Sequence, residues 1–390
     1  MTSYIAPSKV ALSPSDLVNT PLSNTSIKTV QDHRVLPPIY FYIPQDQLPF
    51  TEVPDDIDAN WQMFAPGVFA WTLQTYIRLK QDGFPCEFTG SLPDEGIIVM
   101  HRDSVPQKWK PSHKQLFVCI QADRTQHPWA HFHVVHNPQG VLPDGKFEIR
   151  NSYYIPHWAP QPGLIPRDPA RGDRFENIAF FGHERNLAPE LKHPAWEAAL
   201  TEMGLTWHVI DRDHWNDYSQ VDAVVAVRSF NQQDFTIKPA LKLYNAWHAG
   251  VPAILGCESA FRAERISPID YLEATSAEET LSLLRILVEN PDLRQAMVQN
   301  GKVRSRETNP TIHLKMWRDL ILGTAVPAYE NWRRASSWQR NKFYTRHSVK
   351  QNVERIKRRS AELYGLFRPP VPEATPMQSP AYLNSVPTNA

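Results

Sequence analysis

The chain lacks most of the features that would assign it at once. Its 41 basic and 41 acidic residues cancel, so no global charge suits nucleic acid or an anionic membrane. No apolar run approaches the roughly 18–20 residues of a membrane span. The N-terminus has no charged start followed by an apolar core, so no secretory signal is expected. Cysteines number three, Cys86, Cys119 and Cys257. Isolated among mostly apolar neighbours, they predict buried thiols in a reducing compartment rather than a disulfide framework or a zinc site. The cytoplasm is the expected location. No Gly-x-Gly-x-x-Gly follows a candidate strand, which argues against a Rossmann dehydrogenase. The sequence has no internal repeat.

What is present is length and alternation. A chain of 390 residues, 42% hydrophobic, exceeds the usual single core, so two domains are expected. Residues 1–35, rich in Ser, Thr, Pro and Asn, read as a disordered arm. Runs of β-formers at 39–43, 96–101, 115–120 and 131–136 read as strands, with an apolar helix at 68–80 stopped by Gly83. Residues 156–173 hold five prolines and two glycines, the composition of a linker. Strand and helix then alternate again: strands at 177–182, 206–211 and 222–227, and a helix at 196–203. Ser276 and Glu279 fit a capping box for the next helix. A further helix at 291–300 is expected to end at Gly301. The pattern predicts an α/β fold of two parallel sheets: 36–155, a linker at 156–174, and 175–326.

The most informative run is Lys238-Pro-Ala-Leu-Lys-Leu-Tyr-Asn-Ala-Trp-His-Ala-Gly-Val-Pro-Ala-Ile-Leu-Gly256. It reads as a helix beginning near Pro239, ending at Gly250 and feeding a buried strand at 252–255. Lys242 and Asn245 lie three apart and share a helix face. A cation beside an amide suits a phosphate and a ribose hydroxyl.

This run resembles the nucleotide-sugar-binding segment of GT-B glycosyltransferases, and the resemblance extends over roughly residues 175–325. It implies two Rossmann-like domains facing across a cleft. The implied activity is transfer of a sugar, of the hexosyltransferase type, from a nucleotide-sugar donor to a glycan, lipid or small-molecule hydroxyl. No cofactor is implied, because the nucleotide sugar is itself the substrate, and no metal is expected. In the fold's terms Lys242 faces the diphosphate and Asn245 stands where an acid usually holds the ribose. Many retaining members carry two glutamates eight apart, and this chain has Ile237 and Asn245 there. Two alternatives follow: a nucleotide-sugar epimerase on the same fold, or a non-catalytic binding or assembly protein.

The remaining donor-side candidates are Gly182, which ends a strand, with Arg185 close behind it; Arg228, which follows another; Lys238 at the helix start; and Glu258 after the strand that follows. On the acceptor side, His101 and Asp103 follow the strand at 96–101, and Asp123 follows the strand at 115–120. Any of these three could act as general base. The glycine turn at Gly67 resembles the acceptor-side loop that approaches donor phosphates. Two motifs are discounted. His127, His131, His133 and His136 crowd ten residues but lack a matching acidic or Cys ligand for zinc. Asp211-Arg-Asp213 mimics a metal-binding Asp-x-Asp but lies in the wrong half. Residues 332–368 carry eleven lysines and arginines against Glu354 and Glu362. Val349, Val353, Ile356, Leu363 and Leu366 allow an amphipathic helix there. Within the resemblance, a basic C-terminal helical segment at 327–368 crosses back onto the first domain. Its face also suits peripheral contact with the inner face of a membrane or a lipid-linked acceptor. Residues 369–390 read as a disordered tail.

Overall fold

The computed structural model describes residues 36–141, 151–345 and 349. The arm, the tail and the segment beyond 349 lie outside the described residues. Two sheets form, and every strand pair in both is parallel. The first contains β1 (Ile39–Tyr42), β2 (Glu87–Thr89), β3 (Gly96–His101), β4 (Gln115–Ile120), β5 (Phe132–Val135) and β6 (Ser152–Tyr154), in the order β2-β1-β3-β4-β5-β6. The second contains β7 (Asn177–Phe181), β8 (Thr206–Ile210), β9 (Ala223–Ala226), β10 (Ala253–Leu255) and β11 (Leu272–Glu273), in the order β11-β10-β9-β7-β8. All residues of β3, β4 and β5 are buried. That is why these strands are near-continuous apolar runs rather than alternating ones.

The expected helix at 68–80 is two segments. Phe69–Leu73 is a π turn and α1 (Gln74–Gln81) continues it. π turns recur at functional sites, and this one carries Trp71. In the second half, α2 (Pro194–Glu202) covers β8, and α3 (Leu241–Ala249) begins two residues later than expected. Gly250 ends α3 in a left-handed conformation (φ 70°, ψ 41°), where a side chain would be strained. Then follow α4 (Ser259–Glu264), α5 (Ala277–Glu289) and α6 (Pro291–Arg304). Ser276 Oγ accepts the Glu279 N–H at 3.0 Å, but the Glu279 carboxylate accepts from Thr275 rather than from the cap residue. Gly301 does not end α6. It lies against Trp247 of α3, and a Cβ there would stand 3.0 Å from the indole, so its role is close helix packing.

The chain returns to the first half earlier than expected. α7 (Pro310–Leu320), a π turn at Ile321–Ala325 and α8 (Val326–Arg334) lie on the first sheet. Trp317, Leu320, Ile321, Tyr329 and Trp332 share its core with Phe41, Leu116 and Val118. Residues 337–345 are helical, and Tyr344 donates to the Pro111 carbonyl at 2.6 Å. The proline-rich connection is tied down as well. Arg171 and Arg167 both grip the fully buried carboxylate of Asp222, at 2.7 and 2.8 Å.

Candidate functional site

Parallel sheets place loops at the carboxyl ends of their strands, and ligands bind there. In this chain those ends bear the polar residues. His101 ends β3, Asp123 follows β4, and His136 and Asn137 follow β5. Gly182 follows β7, Arg228 follows β9 and Glu258 follows β10. The two sets meet. Lys238 donates to Asp123 at 2.7 Å. The Asn137 amide donates to Ser259 Oγ at 2.9 Å and to the Lys238 carbonyl at 3.2 Å.

The second half supplies a surplus of positive charge. Arg228 Nε donates to Glu258 Oε2 at 3.1 Å, and the Glu258 side chain is 3% exposed. Lys242, on the first turn of α3, has its ammonium 5.2 Å from the Phe180 ring centroid. Among the described residues it makes no hydrogen bond or ion pair. Burial, then the neighbouring Arg228 and Lys238, push the Lys242 amine down to about 7, against the pull of Glu258. Burial raises the Glu258 carboxyl, opposed by Arg228 and Lys242. Arg228 and Lys242 thus share one buried carboxylate, with Lys238 nearby but paired to Asp123, and each lowers the cost of an incoming anion. Gly182 makes room for this: its φ is 152°, and a Cβ there would lie 3.2 Å from Lys242 Nζ.

The first half is organised differently. Arg124 forms a forked pair with Asp103, with Nη2 2.8 Å from Oδ2, and that bond holds the Asp103 carboxyl low. Burial pushes Asp123 up, but Lys238 and Arg124 outweigh it and hold the carboxyl below its ordinary range. His101 and His136 are each 3% exposed. Burial pushes His101 down to about 4. The Nε2 atom of each ring is buried with no hydrogen-bond partner. Trp71 lies flat on His136, ring centroids 3.3 Å apart. Gly67 sits close by: a Cβ on it would be 3.6 Å from His101 Nε2 and 3.8 Å from Trp71.

Not every expected residue joins this meeting of strand ends. Gly182, Arg228, Lys238, Lys242, Glu258, Asp123 and His101 do. Arg185 is exposed on a 3-10 turn (Glu184–Asn186) and makes no ion pair among the described residues. Asn245 is 3% exposed and engaged at both ends of its amide. Its oxygen accepts the Gln161 N–H at 3.0 Å and its nitrogen donates to Gln161 Oε1 at 2.8 Å. It clasps the connection between the halves, so its amide is not free for the role expected of it. Asp103 is closed by Arg124.

The discounted motifs are structural. His131 Nδ1 accepts the Phe117 N–H and His133 Nε2 accepts the His127 N–H. Asp211 caps its own turn and pairs with His214. Among the described residues, no group of three His, Cys, Asp or Glu side chains is placed to hold a metal ion. Trp158 and Trp247 are buried with their N–H groups bonded to Thr75 and Asp270. His136 and Asn137 also stand at this meeting of strand ends and are not among the expected site residues; the available signal is their place immediately after an apolar strand, shared with Arg228.

No model of a known protein family matches the chain, and no curated protein matches it in sequence. Solved structures give distant matches. HepE from Anabaena, in complex with UDP and glucose, superposes with a TM-score of 0.42 at 9% identity, over 74% of this chain and 100% of its own. Sucrose-phosphate synthase from Thermosynechococcus elongatus gives 0.41 at 13%, over 66% and 78%. AviGT4, a glycosyltransferase of avilamycin A biosynthesis, gives 0.38 at 12%, over 74% and 99%.

Proposed function

We propose that the protein is a GT-B-type glycosyltransferase. It moves a sugar from a nucleoside-diphosphate sugar to the hydroxyl of a glycan, lipid or small molecule. The observation that supports this most is the unpartnered Lys242 ammonium among Arg228, Lys238 and Gly182, opposite the strand ends of the first sheet. Transfer of a glycosyl group leaves a diphosphate with new negative charge. Fixed cations in a water-poor site stabilise that charge, and removing one such donor typically costs about 100- to 1000-fold in rate. Lys242 and Arg228 stand at the leaving group, and Glu258 holds Arg228 in place. Arg228 and Lys242, with Lys238 beside them, take the place that a metal ion would otherwise hold. We assign the donor to the second half and the acceptor to the first, together with the helices that return to it.

The test is release of free nucleoside diphosphate from a panel of nucleotide sugars, with and without hydroxyl acceptors, in the presence of a chelator. Acceptor-dependent release is expected. A non-catalytic nucleotide-sugar-binding protein is the second reading. It is favoured by Ile237 in place of a glutamate and by the clasped Asn245. Binding without any release would support it.

No helix among the described residues is long and apolar enough to cross a membrane. Trp338 is 68% exposed, and the Lys342 ammonium lies 5.0 Å from its ring centroid. We place contact with an anionic lipid surface at this end of the molecule, where Trp can sit at the interface and Lys at the headgroups.

A further inference from the structure

The first half grips α4 at both ends. Ser259 opens that helix and accepts from Asn137, which follows β5. Glu264 closes it, and its Oε1 accepts the Tyr154 hydroxyl of β6 at 3.0 Å and the Tyr244 hydroxyl of α3 at 2.9 Å. The residue before Ser259 is Glu258, the buried carboxylate that holds Arg228. Asn137 is 1% exposed. Its Oδ1 accepts the Gln139 N–H at 3.0 Å, inside its own turn. Both of its amide protons leave the first half, one for Ser259 Oγ at 2.9 Å and one for the Lys238 carbonyl at 3.2 Å. Ser259 passes the grip on. Its Oγ donates to the Asp234 carbonyl at 2.7 Å, and its N–H donates to the same oxygen at 2.9 Å. One asparagine thus ties down two points, Asp234 and Lys238, of the loop that leads from β9 to α3.

That loop is strained. Gln232 and Phe235 have φ of 57° and 47°, in the left-handed region that a bulky side chain rarely adopts. Such strain persists only where surrounding contacts impose it, and it clusters at ligand clamps and switch regions. The contacts here are the ties from Asn137 and Ser259 and the turn bond from the Lys238 N–H to the Phe235 carbonyl at 2.8 Å. Held this way, the Phe235 ring centroid stands 6.0 Å from the Arg228 guanidinium carbon. We infer that Asn137 is a positioning residue, which holds loop 229–238 in its strained form, with Phe235 against Arg228, only while the two halves are together. This rests on the glycosyl-transfer reading and adds to it a route by which the first half sets the donor site. When the halves part, Asn137 leaves both acceptors, the loop relaxes, and Arg228 opens to solvent and to an entering donor. When they meet, Phe235 covers Arg228, and the charge of the leaving diphosphate develops away from water.

Hydrogen exchange in the full chain tests this without activity. The amides to follow are those of Lys238 and Ser259, bonded to the Phe235 and Asp234 carbonyls. Asn137→Asp keeps the acceptor for Gln139 but has no proton for Ser259 or Lys238. Asn137→Leu is close to it in shape and removes the same two bonds with no added charge. Tyr154→Phe breaks the grip at the far end of α4 and leaves Asn137 in place. Both Asn137 variants should speed exchange at Lys238 and Ser259 by about 10- to 100-fold, the worth of two buried hydrogen bonds, and Tyr154→Phe by less than about threefold. Unchanged exchange in Asn137→Leu would overturn the proposal. So would an equal rise in Tyr154→Phe, because a general loosening of the halves would then account for it. In turnover, both Asn137 variants should raise the ratio of donor hydrolysis to transfer by about tenfold, as water reaches the site. Tyr154→Phe should leave that ratio near the wild-type value. A wild-type ratio in both Asn137 variants would also overturn the proposal. Absence of nucleoside diphosphate binding by the wild type is a separate result. It would remove the glycosyl-transfer reading, and the exchange comparison would still decide whether Asn137 holds the loop.

Discussion

The carboxyl ends of the two sheets carry opposite electrostatic designs. In the second half Arg228 and Lys242 lie around one buried carboxylate, and Lys242 has no hydrogen bond or ion pair among the described residues. In the first half the acids are matched one to one, Asp103 by Arg124 and Asp123 by Lys238, and the histidines are neutral. Both halves are parallel sheets with buried central strands, so the fold does not cause the difference. The residues that follow each strand do. A surplus of fixed positive charge suits a leaving diphosphate. The first half, with Arg124 matched to Asp103 and Asp123 to Lys238, offers no such surplus.

The largest effect should come from breaking the pair that organises the proposed donor side. Arg228→Met leaves Glu258 buried beside a single unpartnered lysine. Removing one member of a buried pair typically costs about 3–5 kcal/mol. Chemical denaturation should show that loss, and Arg228→Met combined with Glu258→Gln should recover most of it. No loss in the single variant would mean that Arg228 does not hold the buried carboxylate.

A smaller effect should appear with pH. Lys242 lies among Arg228, Lys238, Glu258 and the Phe180 ring, and its amine is pushed down to about 7. Below that pH it is charged before a ligand arrives. Above it, an incoming diphosphate must draw in a proton, so affinity should fall by about tenfold per pH unit. Titration calorimetry in buffers of different ionisation enthalpy checks this, and Lys242→Arg should flatten the dependence because arginine stays charged.

The smallest effect concerns the bond that joins the halves. Lys238 and Asp123 are 26% and 42% exposed, and such pairs contribute only about 0.2–1 kcal/mol. If Asp123 competes with the diphosphate for Lys238, Asp123→Asn should tighten nucleotide binding by up to about fivefold. The gain should vanish in a Lys238→Ala background. An equal gain in both backgrounds would reduce the bond to general electrostatics.

Much of the fold was legible because burial on both faces leaves long apolar runs. β3 and β4 lie where the runs at 96–101 and 115–120 place them. Short strands such as β2 and β11, of three and two residues, leave too little pattern to read. Gly301 carries a stop signal, but its meaning depends on Trp247, far away in sequence. The candidate site divides the same way. Lys242 and Arg228 were legible because charge at a strand end or helix start is a local feature. Asn245 was legible as a polar group on the right helix face, but its partner Gln161 is 84 residues away, and only the folded chain reveals the clasp. Asn137 shows the same dependence: its partner Ser259 is 122 residues away.

The most direct test of a donor site built on Lys242 is thermal stabilisation by UDP, GDP, TDP, CDP and ADP, with and without Mg²⁺, on the wild type and Lys242→Ala. A ligand at about 100 times its dissociation constant adds roughly 2.7 kcal/mol to the native state. A rise in Tm from one nucleotide, indifferent to Mg²⁺ and lost in Lys242→Ala, is the predicted result. No rise from any of the five at millimolar concentration, or an equal rise in the variant, would contradict it.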